Sequence, residues 1–403
     1  MLGVLLLAAP QAARAADPLV WELGGELRSL YTFTRTPDAE RVLVEGSARS
    51  VDTWLLLTRP RARMQLAYGD HVEGELVYDL ELRTGSGLDS LAFRAGDAIG
   101  TRTWLDADRV ISQHADLDVR HGLYRGWLRY ASENVELTLG RQRIPLGRGR
   151  LWNPADLFNS IPPLALQGDQ RIGKDALLAR ARLAGELWGS LIWAPEDDPD
   201  EQRSAVRLEL ERPELDIAGF AGHFGRDEVV GLDLARNLGD AALRLELTWS
   251  HLARGDRVVQ AVASVDRTLA LGSGLYVLVE HFYNENTLRP LPLDALPPAP
   301  SVEEGLRAFD GFDRGELDRL ATQVRNQTGL ALGYSLTPLL RADLLWLLDW
   351  HGPSLATFPV LSCDVGSGFE IRIGAQLFLG PERRRSEYGD VPNLLFFELG
   401  AYF

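Results

Sequence analysis

Along most of this chain, apolar and polar side chains alternate with a period of two. Thr58, Pro60, Ala62, Met64, Leu66 and Tyr68 form one mostly apolar parity, and Arg59, Arg61, Arg63 and Gln65 form the other. After a Gly69-Asp70 turn, Val72, Leu76, Tyr78, Leu80 and Leu82 alternate with Glu73, Glu75, Asp79 and Glu81. Leu243, Leu245, Leu247 and Trp249 against Arg244, Glu246 and Thr248 repeat the pattern, as do Phe369, Ile371, Ile373 and Ala375 against Glu370 and Arg372. Successive side chains of a strand point to opposite faces, so each segment makes a strand with one greasy and one charged face.

Eighteen such strands are expected, near 20–34, 53–68, 72–84, 119–131, 134–144, 175–183, 186–194, 203–211, 215–223, 228–237, 241–251, 257–268, 274–284, 327–336, 339–350, 354–361, 367–379 and 392–403. Connectors after even-numbered strands are short, such as Gly69-Asp70, Ala184-Gly185 and Thr337-Pro338. Several after odd-numbered strands are long, near 35–52, 84–118, 145–174, 285–326 and 380–391. A soluble sandwich or solenoid accounts for alternation in any one hairpin, but not for connectors sorted this way. Sorted connectors and an even strand number are the layout of a barrel that spans a membrane. In hydrocarbon every backbone N–H and C=O needs a partner, so a sheet there must close on itself. The expected fold is all-β: a transmembrane antiparallel β-barrel of about 18 strands, with short periplasmic turns, long extracellular loops and an aqueous lumen. Residues 17–403 form this single domain.

Both ends fit export. Leu2 to Pro10 is apolar and Ala13-Arg14-Ala15 supplies small residues at the positions a signal peptidase reads, so residues 1–16 are expected to be a signal peptide. That run is too short to span a bilayer. The chain ends Leu395-Phe396-Phe397-Glu398-Leu399-Gly400-Ala401-Tyr402-Phe403, and a terminal Phe preceded by alternate apolar residues resembles the signal read by the barrel-assembly machinery. The cell outer membrane is the expected location, with outer-membrane lipid and the assembly machinery, through Phe403, as partners. Trp21, Tyr68, Tyr130, Trp193, Trp249, Trp350 and Tyr402 sit near strand ends and suit interfacial girdles.

Composition excludes several classes. A net charge of −15 argues against a nucleic-acid partner, which needs a basic face. Lone Cys363 allows neither an internal disulfide nor a cysteine zinc cluster. Lys174 is the single lysine among 42 basic residues.

Parity places Arg59, Arg61, Arg63, Glu73, Glu75, Asp79, Glu81, Arg125, Arg129, Arg180, Arg182, Arg244, Arg341, Glu370 and Arg372 on the inner wall, as a mixed lining. The Arg59-Arg61-Arg63 row faces the Glu73-to-Glu81 row across a hairpin. It reads either as a ladder of ion pairs that stiffens the wall or as opposed charges that set a field across the lumen. Strict parity puts Arg141 and Arg143 outward, unless a bulge near Gly140 intervenes. The 145–174 loop joins turn formers and arginines to apolar aromatics. Arg148, Arg150, Trp152, Asn153, Asp156 and Phe158 are the candidate constriction residues, because Trp152, Leu157 and Phe158 suit a loop folded inward onto the wall. In the 285–326 loop, prolines precede Ser301-Val302-Glu303-Glu304, a capping-box pattern that opens an expected helix to about Val324.

Two stretches resemble a known group. Gly140-Arg141-Gln142-Arg143-Ile144 followed by Trp152-Asn153-Pro154-Ala155-Asp156-Leu157-Phe158, and Gly380 with Ser386-Glu387-Tyr388-Gly389, look like patterns in large Gram-negative outer-membrane porins, including alginate-export-like barrels. The resemblance implies an outer-membrane channel for diffusion or export of hydrophilic solutes, charged ones among them, or of polysaccharide. No phosphate loop, dinucleotide fingerprint, zinc-protease helix, calcium loop or serine-hydrolase elbow is present, and no catalytic residue, metal or cofactor is expected. Two alternatives are a structural barrel that sleeves a partner protein and an outer-membrane hydrolase. The hydrolase would need a Ser within reach of a wall His.

Overall fold

The computed structural model describes residues 19–46, 50–91, 93–94, 103–114, 116–159, 163–166, 173–287, 320, 322–381, 386–389 and 391–403. Its strands are β1 (Leu19–Pro37), β2 (Ser50–Tyr68), β3 (Val72–Thr84), β4 (Arg109–His114), β5 (Leu117–Ala131), β6 (Val135–Gln142), β7 (Lys174–Ala184), β8 (Leu187–Ala194), β9 (Arg203–Arg212), β10 (Leu215–Phe224), β11 (Asp227–Leu238), β12 (Ala241–His251), β13 (Arg257–Leu269), β14 (Leu275–Asn284), β15 (Asn326–Ser335), β16 (Leu340–Asp349), β17 (Ser354–Gly366), β18 (Phe369–Leu379) and β19 (Leu394–Tyr402). Eighteen of them run antiparallel, each beside its chain neighbour, and the sheet closes where β1 pairs with β19. The exception is β4, a six-residue strand inside the expected 84–118 loop. It pairs with Leu117 to His121 of β5, beyond the stretch from Gly126 to Ala131 that β6 takes up.

The outer face is the apolar parity. Leu23, Leu139, Leu191, Val230, Leu247, Ile373 and Phe397 are all exposed at alternate positions. A continuous apolar belt of this extent is not a surface that water tolerates on a monomer, and lipid satisfies it. Among the described residues no helix is long and apolar enough to cross a membrane. Trp21, Tyr68, Tyr130, Trp193, Trp249 and Trp350 are exposed near strand ends. Tyr402 departs from the expected girdle: its ring faces Arg28 at 5.6 Å and its hydroxyl donates to Glu370 at 3.4 Å, on the charged face.

Register sets opposite charges side by side on the inner face. Arg61 is level with Glu26 on β1 and with Asp79 on β3. Shifting β2 by one residue would turn Arg59, Arg61 and Arg63 into lipid, at a cost of roughly 2–4 kcal/mol for each one near the midplane. Two irregularities mark these strands. Tyr124 is the extra residue of a bulge between Leu123 and Arg125. Gly140 takes φ 114°, although the ladders to β5 and β7 run through it without a register shift. Arg141 is not exposed but buried, with its guanidinium on Asp175 at 3.0 Å and on the backbone oxygens of Leu123 and Leu105. Arg143 is exposed.

Residues 1–16 lie outside the described residues, as does most of the helix expected from Ser301. The stems of that long loop are joined by a bridge between Thr287 and Thr322.

Candidate functional site

The segment from Arg143 to Asn159 leaves β6 at the long-loop end and does not stay outside. Its turns are built locally. Asn153 accepts the Asp156 N–H on its side-chain oxygen at 3.0 Å and donates to the Leu146 carbonyl at 2.9 Å. Asp156 accepts the Asn159 N–H, and Asn159 in turn accepts the Ile144 N–H at 2.9 Å, which clips the end of the segment to its start. These are the side-chain-to-backbone bonds that make Asn and Asp turn residues.

The apolar side chains of the segment then pack on the inner wall in two places. Ile144, Leu146, Ala155, Leu157 and Phe158 cluster with Ala176, Ile192, Ala194, Ala205, Phe220, Phe224 and Val229, from β7 to β11. Leu151, Trp152 and Leu164 cluster with Val262, Phe282, Leu347, Ala356, Phe358, Phe378 and Tyr388, from β13 to the loop after β18. Phe158 meets Phe224 edge-on at 5.2 Å, and Trp152 stacks on Phe282 at 5.6 Å. Burying each such aromatic contributes roughly 1.5–3 kcal/mol. The two motifs that stand out in the sequence, around Trp152 and around Tyr388, thus share one cluster.

Between these clusters the backbone of the segment is held by two buried glutamates of the wall. Glu246 on β12 accepts the N–H groups of Arg148, Gly149 and Ala155. Glu280 on β14 accepts those of Arg150 at 2.8 Å, Leu151 at 2.8 Å and Trp152 at 2.7 Å. A carboxylate offers about four lone-pair sites, so three converging amides replace its water shell. Gly147 has φ 76°, and a Cβ there would lie 2.6 Å from the Glu246 carboxylate, so glycine serves both the turn and the close approach. Gly329 on β15 likewise leaves the space that the Leu151 side chain fills.

The charges of the segment divide. The Arg148 guanidinium is spent on the wall, at 2.6 Å from Glu209, 3.2 Å from Asp233 and 3.7 Å from Asp216. The Arg150 side chain is exposed and, among the described residues, makes no ion pair.

The remaining sequence-selected residues form the wall itself. Arg59 pairs with Glu81 at 2.5 Å, Arg61 with Asp79 and with Glu26 at 2.8 Å, and Arg63 with Glu75 at 3.3 Å. Arg129 joins Glu73 to Glu136, and Arg180 reaches Glu136, Glu209 and Glu211. Arg244 meets Asp266, Arg341 meets Asp343 and Arg372 meets Glu398. Arg61 lies 3.7 Å over the Tyr124 ring with Arg125 at 5.3 Å, while Arg180 and Arg182 flank Trp188 at 4.4 and 4.8 Å. A cavity of about 290 Å³ beside this ladder is lined by Glu22, Glu26, Arg61, Arg63, Gln65 and Tyr402, among others. The loop-holding role of Glu246 and Glu280 escapes sequence reading. Its trace there is that Glu280 has only Ser264 and Gly329 as cross-strand neighbours, with no arginine to answer it.

No family model and no curated protein matches the sequence. Solved structures do match. OccAB1 of Acinetobacter baumannii is 11% identical, with 94% of this chain and 96% of that one covered at a TM-score of 0.54. OccK7 (OpdD) of Pseudomonas aeruginosa is 10% identical over 95% and 98% of the two chains, TM-score 0.54. OpdK of the same organism, solved with vanillate, is 10% identical over 94% and 98%, TM-score 0.50. The likeness shows the fold, a closed eighteen-stranded barrel of the outer-membrane porin type, over 94–95% of the chain.

Proposed function

We propose that this chain is an outer-membrane, porin-like channel for small hydrophilic solutes, narrowed by the Arg143-to-Asn159 part of the loop that follows β6. The observation that carries the reading is the docking of that segment on Glu246 and Glu280. Loop backbone that leaves β6 is fixed by hydrogen bonds on β12 and β14, so it crosses the bore instead of capping it. Solutes would pass the gap between this loop and the facing wall, where size exclusion acts first. Arg150 would then present an unpaired positive charge at the narrowest level, because Arg148 is already matched by three wall carboxylates. The paired ladder below it contributes wall stiffness and a mixed field, with little net charge to exclude either ion sign. The similar OpdK structure contains vanillate, which supports a small-solute cargo in preference to a polymer. The alginate-export-like reading rests on the two sequence motifs alone. A hydrolase would need a serine on a wall histidine; among the described residues no histidine side chain is hydrogen-bonded to a serine, and His281 meets Thr328 at 2.9 Å.

The test is single-channel conductance and reversal potential in a planar bilayer, for the intact chain and for a chain with 145–174 replaced by a short turn. The reading expects steady conductance that rises on replacement. Absence of conductance in both would sink it in favour of a plugged or partner-dependent barrel.

A further inference from the structure

Toward the long-loop end, β5 continues past the point where β6 leaves it. The β6 pairs on β5 stop at Gly126–Arg141 and the β4 pairs begin at His121–Arg109, so among the described residues this edge of β5 has no strand beside it between the two. The gap opens just above a lipid-facing part of the wall. Leu139, Leu177 and Trp193 are level on β6, β7 and β8, and Leu139 and Trp193 are exposed. Arg141 and Asp175 are a cross-strand pair two residues nearer the long-loop end than Leu139 and Leu177, in an unbroken ladder. They therefore share the outward parity of those residues.

Arg141 spans the gap. Its Nη1 donates to the Leu123 carbonyl of β5 at 2.5 Å, and its Nε and Nη2 donate to the two Asp175 oxygens at 3.0 Å each. A strap from Thr103 to Asp108, just before β4, is seated on this pair. The Leu105 N–H donates to Asp175 Oδ2 at 2.9 Å. The Leu105 carbonyl accepts from Arg141 Nη2 at 2.6 Å and from the Thr103 hydroxyl at 3.1 Å. The Arg141 and Asp175 side chains are 0% and 8% exposed, whereas Trp104 and Leu105 on the strap are each 55% exposed. Beside them Arg109 and Asp106 form an exposed ion pair at 2.7 Å.

We propose that the strap from Thr103 to Asp108 is a lipid-contacting surface, seated on the Arg141–Asp175 pair, and that its occupant is the border between headgroups and acyl chains of the outer leaflet. The surface continues the lipid-facing belt of β6 to β8 without a break in register. At that level a sheet edge cannot rely on water, so the Leu123 carbonyl needs a donor from the protein, and Arg141 supplies one. A guanidinium on the lipid side needs a partner and a cover in its turn, and Asp175 with the Leu105 backbone provides both. The strap itself has the make-up of an interface, a Trp and a Leu next to an exposed ion pair. The inference needs the outer-membrane location and not the channel reading.

The experiment is the accessibility of a nitroxide label to oxygen and to a water-soluble nickel chelate, on the full chain folded into phosphatidylethanolamine–phosphatidylglycerol vesicles. Cys363→Ser removes the native thiol, and a single label is carried by Trp104→Cys, by Trp193→Cys as the lipid reference or by Asp256→Cys as the water reference. The oxygen-to-chelate ratio at 104 should match that at 193 and exceed that at 256 severalfold. In Arg141→Ala, shown to be folded by its gel mobility, the ratio at 104 should drop toward that at 256, because the strap loses its seat. A ratio at 104 equal to that at 256 overturns the proposal, and so does an unchanged ratio in Arg141→Ala. Spectral broadening at 104 that vanishes on dilution with unlabelled chain would identify a second copy of the chain in place of lipid, and overturns it too. Leu105→Cys carries the label should the Trp104 variant not fold. No readout depends on conductance, so a silent barrel would sink the channel reading and leave this result standing.

Discussion

Trp152 donates its backbone N–H to the Glu280 carboxylate at 2.7 Å while its ring stacks on Phe282, two residues along the same strand, at 5.6 Å. One strand therefore supplies both the polar anchor and the apolar seat of the loop. The two anchors differ in how they fail. Losing the ring opens a cavity, whereas losing the carboxylate strands the buried Trp152 amide, at roughly 1–3 kcal/mol, and the part-buried amides of Arg150 and Leu151.

Glu280→Ala is expected to free the centre of the loop without unfolding the barrel, because the ladders of β13, β14 and β15 use backbone groups only. Single-channel conductance should rise, with larger open-state fluctuation. Glu280→Gln should fall between, since its amide oxygen accepts while its NH2 meets the loop amides donor to donor. Unchanged conductance in the alanine variant would show that the loop is held elsewhere.

Gly329→Val probes the same seat without touching charge. A Cβ on Gly329 would collide with the Leu151 side chain and lie 3.2 Å from the Trp152 ring. Overpacking of this kind costs roughly 1–3 kcal/mol, which the loop can relieve by lifting and the β15 backbone cannot. Conductance should rise as in Glu280→Ala while ion selectivity stays that of the native chain. A change in reversal potential with no change in conductance would contradict the steric argument.

Much of this was legible from alternation, and the failures have physical causes. The eighteen strands follow from period two because one face meets lipid and the other water, and the Arg59–Glu81 and Arg61–Asp79 pairs follow from parity plus a tight turn. Trp152, Leu157 and Phe158, for which a solvated loop has no use, are buried against wall residues. The docking points stayed hidden: parity says which face Glu280 occupies, not that backbone 130 residues earlier in the chain reaches it. Parity alone left Arg141 open, with a break near Gly140 as one resolution; the contacts with Asp175 and with the Leu105 and Leu123 carbonyls, which bury the side chain, cannot be read from the sequence. β4 escaped because Val110 and Ile111 are adjacent apolar residues with no period of two.

Arg61→Ala tests the ladder. Its buried guanidinium holds Asp79, also contacts Glu26 at 2.8 Å and covers the Tyr124 ring. Removing one partner of a buried ion pair costs roughly 3–5 kcal/mol, and the low end applies here because Arg59 and Arg28 stand close enough to share the stranded carboxylates. The temperature at which the folded barrel converts to its unfolded gel mobility should fall. The reversal potential should move toward cation preference, by an amount that shrinks as salt is raised. A variant as heat-stable and as selective as the native chain would make these pairs ornamental.

Gly25→Val addresses closure. The N–H of Gly25 donates to the Phe403 carbonyl at 2.7 Å and the Phe403 N–H donates back to the Gly25 carbonyl at 3.0 Å, so the last residue of the chain is stitched to the first strand. A Cβ at position 25 would stand 2.8 Å from the Phe403 ring and 2.7 Å from the Arg61 carbonyl. The ring can swing away because it is 80% exposed, but the Arg61 carbonyl belongs to β2 and is fixed by its ladder. The variant should therefore disturb both edges of β1 at the short-turn end, and with them the seam between first and last strands. Refolding into detergent should slow, and the folded barrel should expose the β1–β19 edge as faster amide exchange at Gly25 and Phe403. Gly25→Ala carries the same Cβ with less bulk, so it should show a smaller change in the same direction. Native refolding and exchange in the valine variant would mean that the seam tolerates a side chain there and that closure depends on the pairs from Glu26–Tyr402 onward.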